Sequence, residues 1–320
     1  MSIRRKKDWS PLGSSATSVN TSGAAELLWR RALKGRRSKK FTDIVSFNKT
    51  GTQIPLYVFP SLSLGGTEYL ELGKYIDPEQ PWHVLIPPIK ECRTEPEGLI
   101  RELAIRFADC LDEIHPKRQP IVVGGFSAGV TPALELARQL RARGRNVPLL
   151  IAIDMAPENT GVTEVGNSAG NKIRSSIHDS RQRGRNWPRT AIDLARATFN
   201  RASNTVFRRK LDDVDKFQKE YPTIPADDIK QMRIFYAAAF ACSRPEPYDG
   251  KVLVIEASYA LHQRTKAKWK SFAHDVESVV VEGTHSSIVC YEDAAKLADV
   301  LNRRLSALSS SSCDSQPLSF

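Results

Sequence analysis

From Ile54 onward the chain alternates short apolar runs with longer stretches whose apolar residues recur at helical spacing. Ile54 to Phe59 reads as a strand, Thr67 to Tyr75 as a helix, and Trp82 to Ile86 as a second strand. Leu99 to Ile114 follows as a helix with Ile100, Leu103, Ala104, Phe107, Ala108 and Leu111 on one face. Ile121 to Val123 is a third strand. Val130 to Leu140 is a helix with Ala133, Leu136, Ala137 and Leu140 at i, i+3, i+4 and i+7, and Pro148 to Ile153 is a fourth strand. Such alternation predicts right-handed crossovers and an α/β fold, with a mostly parallel central sheet flanked by helices. Between residues 158 and about 246 the alternation stops. Polar linker and helical segments such as Ala191 to Phe199 and Ile229 to Cys242 occupy that span, without a convincing strand. Strands resume at Lys251 to Ile255 and Ser278 to Val281, and Glu292 to Leu308 closes the pattern as a helix. One sheet interrupted by a helical insertion is therefore expected over residues 41–308. Residues 1–40 read as a basic, disordered arm, with compact structure starting near Phe41, and residues 309–320 as a flexible tail.

Composition adds limits. A chain of 320 residues with 41% hydrophobic content can bury a large core. No stretch approaches the roughly 18 apolar residues of a membrane span. The five cysteines, Cys92, Cys110, Cys242, Cys290 and Cys313, are scattered without C-x-x-C spacing. They point to a reducing, cytoplasmic setting and to no metal site. The net charge of +11 is concentrated: residues 1–45 and residues 161–210 each carry 11 Lys and Arg against 3 Asp and Glu. Arg181, Arg183, Arg185 and Trp187 interleave base and aromatic. No nucleic-acid motif accompanies them, so a nucleic-acid partner is not expected.

The candidate chemistry lies at Gly125-Phe126-Ser127-Ala128-Gly129, a G-x-S-x-G pattern with a β-branched run before it and a helix after it. A strand-turn-helix with serine at its apex needs glycine on both sides, and it exposes the hydroxyl in strained backbone angles. A serine hydroxyl is a poor nucleophile without a base, usually a histidine oriented by a carboxylate. Of six histidines, His285 follows the last apolar strand in Glu282-Gly283-Thr284-His285, where it reaches the carboxyl edge of the sheet. Two acids compete for the third role. Asp154 ends the strand after the serine helix, 27 residues beyond Ser127, and Glu256 ends the next strand. Both strand ends face the same edge, so chain order leaves the choice open. An oxyanion hole requires two backbone N–H groups. Ala128 is the expected first donor, and the loop after Phe59 supplies the second, with Leu62 the leading choice and Ser61 behind it.

These residues resemble the thioesterase domains that end nonribosomal peptide synthetases and polyketide synthases, together with their free-standing relatives. The resemblance covers roughly Ile44 to Leu308. It rests on Ile54-Pro55-Leu56-Tyr57-Val58-Phe59-Pro60, the elbow Gly124 to Gly129, Ala137-Arg138-Gln139-Leu140 and Leu150 to Asp154. Pro245 to Val252, Trp269 and Glu282 to His285 complete it. It implies an α/β-hydrolase fold with a helical lid, matching the strandless insertion. It also implies the acid after the strand that follows the nucleophile helix, favouring Asp154 over Glu256. The implied activity takes an acyl or peptidyl chain from a phosphopantetheine carrier protein onto Ser127, then releases it by hydrolysis or cyclisation. No cofactor of the protein's own is implied. Family members often carry a second glycine after the elbow, where this chain has Val130. No complete carrier domain precedes the region, so a discrete protein is expected. A basic lid suits an acidic carrier. An ordinary carboxylic-ester hydrolase and a non-catalytic interaction protein of the same fold are the alternatives.

Overall fold

A strand that is apolar on both faces belongs in the middle of a sheet covered by helices on both sides. Leu56–Phe59, Val122–Phe126 and Leu150–Ile153 are such runs, buried throughout. In the computed structural model, which describes residues 43–61, 66–87, 96–157, 243–259 and 265–313, they form β2, β4 and β5 of a seven-stranded sheet. The others are β1 (Asp43–Asn48), β3 (Trp82–Ile86), β6 (Val252–Ala257) and β7 (Val276–Val281). Their order is β1-β3-β2-β4-β5-β6-β7. β1 pairs antiparallel with β3, and every other neighbouring pair is parallel.

Among the described residues the helices are α1 (Tyr69–Leu72), α2 (Pro96–Ile114), α3 (Val130–Ala142), α4 (Thr265–Trp269), α5 (Ser287–Cys290) and α6 (Ala294–Cys313). The strand period of two divides the interior into two layers. Tyr57, Phe59, Val123, Leu150 and Val254 pack on one face with Phe107 and Leu111 of α2 and Leu136 and Leu140 of α3. Leu56, Val58, Val122, Ile151 and Leu253 pack on the other with Tyr69 and Leu72 of α1 and Leu297, Leu301 and Leu305 of α6.

Register brings the strand ends level. Phe59 lies opposite Gly125, Phe126 opposite Ile153, and Ile153 opposite Ile255. The residues after β2, β4, β5 and β6 therefore emerge along one carboxyl edge. Chain progression reverses beside β4, the place where α/β sheets open a binding crevice.

The short helices α4 and α5 are absent from the sequence expectation, and other elements differ from it. β1 has no counterpart in it. The helix expected from Thr67 to Tyr75 shrinks to a single turn, preceded by Gly66 at φ 96°. The closing helix continues past Leu308 to Cys313. The Ser309 hydroxyl there donates to Leu305 O at 3.1 Å and accepts the Ile54 N–H at 3.1 Å, tying the last turns to the start of β2. The arm at 1–40 and the helices expected at Ala191 to Phe199 and Ile229 to Cys242 lie outside the described residues, as does most of the expected insertion.

Candidate active site

Ser127 follows the last residue of β4 and opens a short 3₁₀ turn, Ser127–Gly129, that runs into α3. Its φ of 54° is left-handed, a conformation that non-glycine residues adopt at an energetic cost of order 1–3 kcal/mol. Its flanking glycines are required by contact. A Cβ on Gly125 would collide with the Gly129 carbonyl, and one on Gly129 would lie 2.5 Å from both Phe59 O and Pro60 O. The turn is thus seated, backbone on backbone, against the exit of β2.

Asp154, one residue beyond β5, shares the strain with φ 52° and is fully buried. Its Oδ2 accepts from His285 Nδ1 at 2.7 Å, and its Oδ1 accepts the Ala257 N–H at 2.9 Å. The His285 Nε2 lies 3.0 Å from Ser127 Oγ. A carboxylate can only accept, so Nδ1 carries the ring proton and Nε2 is left as acceptor for the serine hydroxyl. Phe126 lies against the imidazole at 4.8 Å between ring centres. Ser127 itself is 7% exposed. The arrangement can move a proton from Ser127 to His285 while Asp154 holds the ring's tautomer.

Glu256, the competing acid, accepts the Lys266 N–H at 3.3 Å instead. The Ala128 N–H lies in the first turn, where N–H groups have no intrahelical acceptor and attract negative charge. Leu62 lies outside the described residues. The N–H of Ser61 is directed at Glu68 Oε1, 2.6 Å away, and so is not directed at the serine.

The histidine loop has its own support. Thr284 N–H donates to Ser287 Oγ at 2.8 Å and Ser287 N–H to Thr284 Oγ1 at 3.1 Å, a reciprocal cap around His285. The Ser287 hydroxyl donates to Asp293 Oδ2 at 2.5 Å. That bond, then Lys296, holds the Asp293 carboxyl below its ordinary range. Sequence reasoning missed this network. Its only sequence trace is the Thr-x-x-Ser spacing. Trp269 Nε1 donates to Met155 O at 3.0 Å, fixing the chain just after Asp154.

A seven-stranded, mostly parallel sheet with serine, histidine and aspartate gathered at its carboxyl edge defines a serine hydrolase architecture. The thioesterase-domain family model matches residues 54–305, and the chain belongs to that family. Chondramide synthase of Chondromyces crocatus is 24% identical over 295 residues, covering 86% of this chain but 7% of the synthase. A non-reducing polyketide synthase of Metacordyceps chlamydosporia is 32% identical over 127 residues, 39% of this chain and 6% of the synthase. The chain thus spans under a tenth of these relatives. The NocB thioesterase domain from the nocardicin cluster superposes with a TM-score of 0.56 at 19% identity, covering 82% of this chain and 98% of that one. The thioesterase domain described for cyclisation of the lipopeptide surfactin gives 0.53 at 17%, covering 84% and 98%. These likenesses carry the fold. Residues 54–305 are thus a thioesterase-family domain, and the relatives it matches include polyketide synthases.

Proposed function

We propose that Ser127 accepts an acyl or peptidyl chain from the phosphopantetheine thioester of a carrier protein, and that the chain leaves by hydrolysis or by attack of its own nucleophile. The observation that carries this reading is the hydrogen-bonded series Ser127 Oγ, His285 Nε2, His285 Nδ1 and Asp154 Oδ2, at 3.0 and 2.7 Å. As Ser127 Oγ bonds to the thioester carbon, its proton passes to His285 Nε2 and the carbonyl oxygen becomes an oxyanion. The N–H groups of Ala128 and Leu62 are assigned to receive it. Collapse breaks the C–S bond, and the proton on His285 goes to the departing thiolate. In the second half, water or a hydroxyl or amine of the chain bonds to the ester carbon as His285 takes its proton, and that proton passes to Ser127 Oγ as the ester C–O bond breaks. Asp154 holds the tautomer throughout.

The reaction needs no cofactor of the protein's own, because the phosphopantetheine arm arrives with the carrier. Support for a carrier partner comes from relatives that are synthases, and from the likeness to a four-domain nonribosomal peptide synthetase at a TM-score of 0.58 and 20% identity. The basic residues 161–210 suit an acidic carrier surface. The five scattered cysteines, without C-x-x-C spacing, suit a reducing, cytoplasmic setting. No described helix is long and apolar enough to cross a membrane.

Incubation with an acylated carrier, followed by intact-mass analysis, is expected to show an adduct of the acyl mass that Ser127→Ala abolishes. Turnover in that variant should fall about 10⁶-fold. No adduct and no turnover with a panel of carrier thioesters would overturn the reading.

A further inference from the structure

A general base must be returned to within hydrogen-bond reach of its proton on every turnover, so the loop that carries it has to be held. The loop bearing His285 is held at both ends. At its start, the Gly283 N–H donates to Ser258 Oγ at 3.2 Å and the Gly283 carbonyl accepts the Tyr259 N–H at 3.0 Å, which ties the loop to the chain just after β6. The next peptide is gripped from the other side. Ser287 Oγ accepts the Thr284 N–H at 2.8 Å and donates to Asp293 Oδ2 at 2.5 Å. His285 lies between Thr284 and Ser287, so these bonds close around the base. Ser287 is 6% exposed, and its one hydroxyl proton is committed to Asp293.

The direction of that hydroxyl is set by its partner. A carboxylate only accepts, so the Ser287 proton faces Asp293 and a lone pair is left for the Thr284 N–H. Asp293 stands immediately before α6, and its carbonyl accepts the Lys296 and Leu297 N–H groups at 3.0 and 3.3 Å. A helix N-terminus favours a carboxylate there. Lys296 Nζ holds the second oxygen, Oδ1, at 2.9 Å and reaches Glu282 Oε2 at 2.9 Å. α6 itself is anchored in the core through Leu297, Leu301 and Leu305. Gly283, at φ 141°, leaves the space these contacts need: a Cβ there would lie 2.6 Å from Asp293 Oδ2 and 2.8 Å from Ser287 Oγ. A continuous series of contacts thus runs from a packed helix through Asp293 and Ser287 to the peptide before His285.

We propose that Ser287 is a positioning residue for the catalytic base, with Asp293 directing its hydroxyl: together they fasten the His285 loop to α6 and keep Nε2 within reach of Ser127 Oγ. The inference rests on the proposed acyl transfer to Ser127. Asp154 fixes the tautomer of the ring, whereas Ser287 fixes the backbone from which the ring projects. Ser287→Ala removes the acceptor of the Thr284 N–H and the hydroxyl donor to Asp293 in one step. The loop can then relax, and the 3.0 Å contact between His285 Nε2 and Ser127 Oγ relaxes with it. A misplacement of about 1 Å lowers catalysis on the order of 10²-fold.

The test compares wild type, Ser287→Ala and Ser287→Thr with an acylated carrier, and with a fluorophosphonate, which also needs His285 to activate Ser127. For Ser287→Ala, kcat is expected to fall on the order of 10- to 100-fold with KM within about 3-fold of wild type, and fluorophosphonate inactivation should slow in parallel. Ser287→Thr keeps the hydroxyl and should bring kcat back to within about 3-fold of wild type. A kcat for Ser287→Ala within about 3-fold of wild type, a change confined to KM, or a loss that Ser287→Thr does not restore overturns the proposal. If Ser287→Ala does not give folded protein, Asp293→Ala leaves the hydroxyl free to turn away from Thr284. It should lower kcat about 3-fold or more at unchanged KM, and no change overturns the proposal. Absence of turnover in wild type would instead sink the acyl-transfer reading, so the two failures are distinguishable.

Discussion

Asp154 uses its two oxygens for separate tasks, orienting His285 with one and accepting the Ala257 N–H at the end of β6 with the other. Asp154→Asn presents an amide NH₂ to one of these donors. Facing His285, it forces the other tautomer and leaves Ser127 without an acceptor. A fall of about 10⁴-fold in kcat is expected, with Glu256→Gln within about 2-fold of wild type, measured as steady-state turnover of one thioester. The reverse ranking would exchange the roles of the two acids. At this scale the sequence was informative because strand ends place their next residue with little freedom: Ser127 and Asp154 directly follow β4 and β5, and His285 stands in the short loop after β7. The burial of Glu68 was not legible. In Gly66-Thr67-Glu68-Tyr69-Leu70-Glu71-Leu72 it reads as one of two acids on the solvent side of a short helix, and its burial depends on Ser61 across the loop.

Among the elements, α2 shows how a helix end is finished by a residue from elsewhere. Arg145, two residues after the last turn of α3 closes at Arg143, has a side chain only 1% exposed. Its guanidinium donates to Asp112 Oδ1 at 2.5 Å and to the carbonyls of Leu111, His115 and Pro116 at 3.2, 2.7 and 2.8 Å. Those carbonyls sit at the end of α2, where a cation is favoured. Arg145→Met should lower stability by about 1 to 3 kcal/mol in urea unfolding, because it takes from the His115 carbonyl its side-chain donor and from Asp112 one of two arginine partners. Arg145→Lys should recover little, since an ammonium cannot span that set. The central strands were readable as apolar runs, whereas β1 was not. Asp43-Ile44-Val45-Ser46-Phe47-Asn48 mixes polar and apolar residues because it is an edge strand, paired among the described residues with β3 alone. The extension of α6 was hidden in a run of serines, which favour helix ends unless a partner such as Ile54 N–H engages them.

For the molecule as a whole, acid sensitivity is set in part at the opposite edge of the sheet. His83, stacked on Tyr57 at 4.5 Å and bonded to Ser46 Oγ at 2.8 Å, is lowered to about 4, first by burial and then by the charges of His115 and Lys49. His115 is lowered as well, again by burial first; its Nε2 accepts the Tyr57 hydroxyl at 2.5 Å. An unfolded imidazole takes its proton near pH 6.5, so between that value and 4 the unfolded chain binds more protons than the folded one. Stability should therefore decline as pH falls through this window, by up to about 3 kcal/mol from His83, whose own contribution levels off below it. Thermal melts of wild type and His83→Gln from pH 7 to 4 check this: the variant should lose much of the slope.

β5 and β6 are hydrogen-bonded neighbours, with Ile153 opposite Ile255, although nearly a hundred residues of chain separate them. Each doubling of a flexible connection adds only about 0.6 kcal/mol of closure entropy, so the sheet is nearly indifferent to the length of what runs between these strands. Ser127, Asp154, His285 and Ser287 all stand on the frame outside that interval. The gap between β5 and β6 is thus a natural splice point, at which chain can be exchanged while the sheet and the residues at its carboxyl edge keep their register.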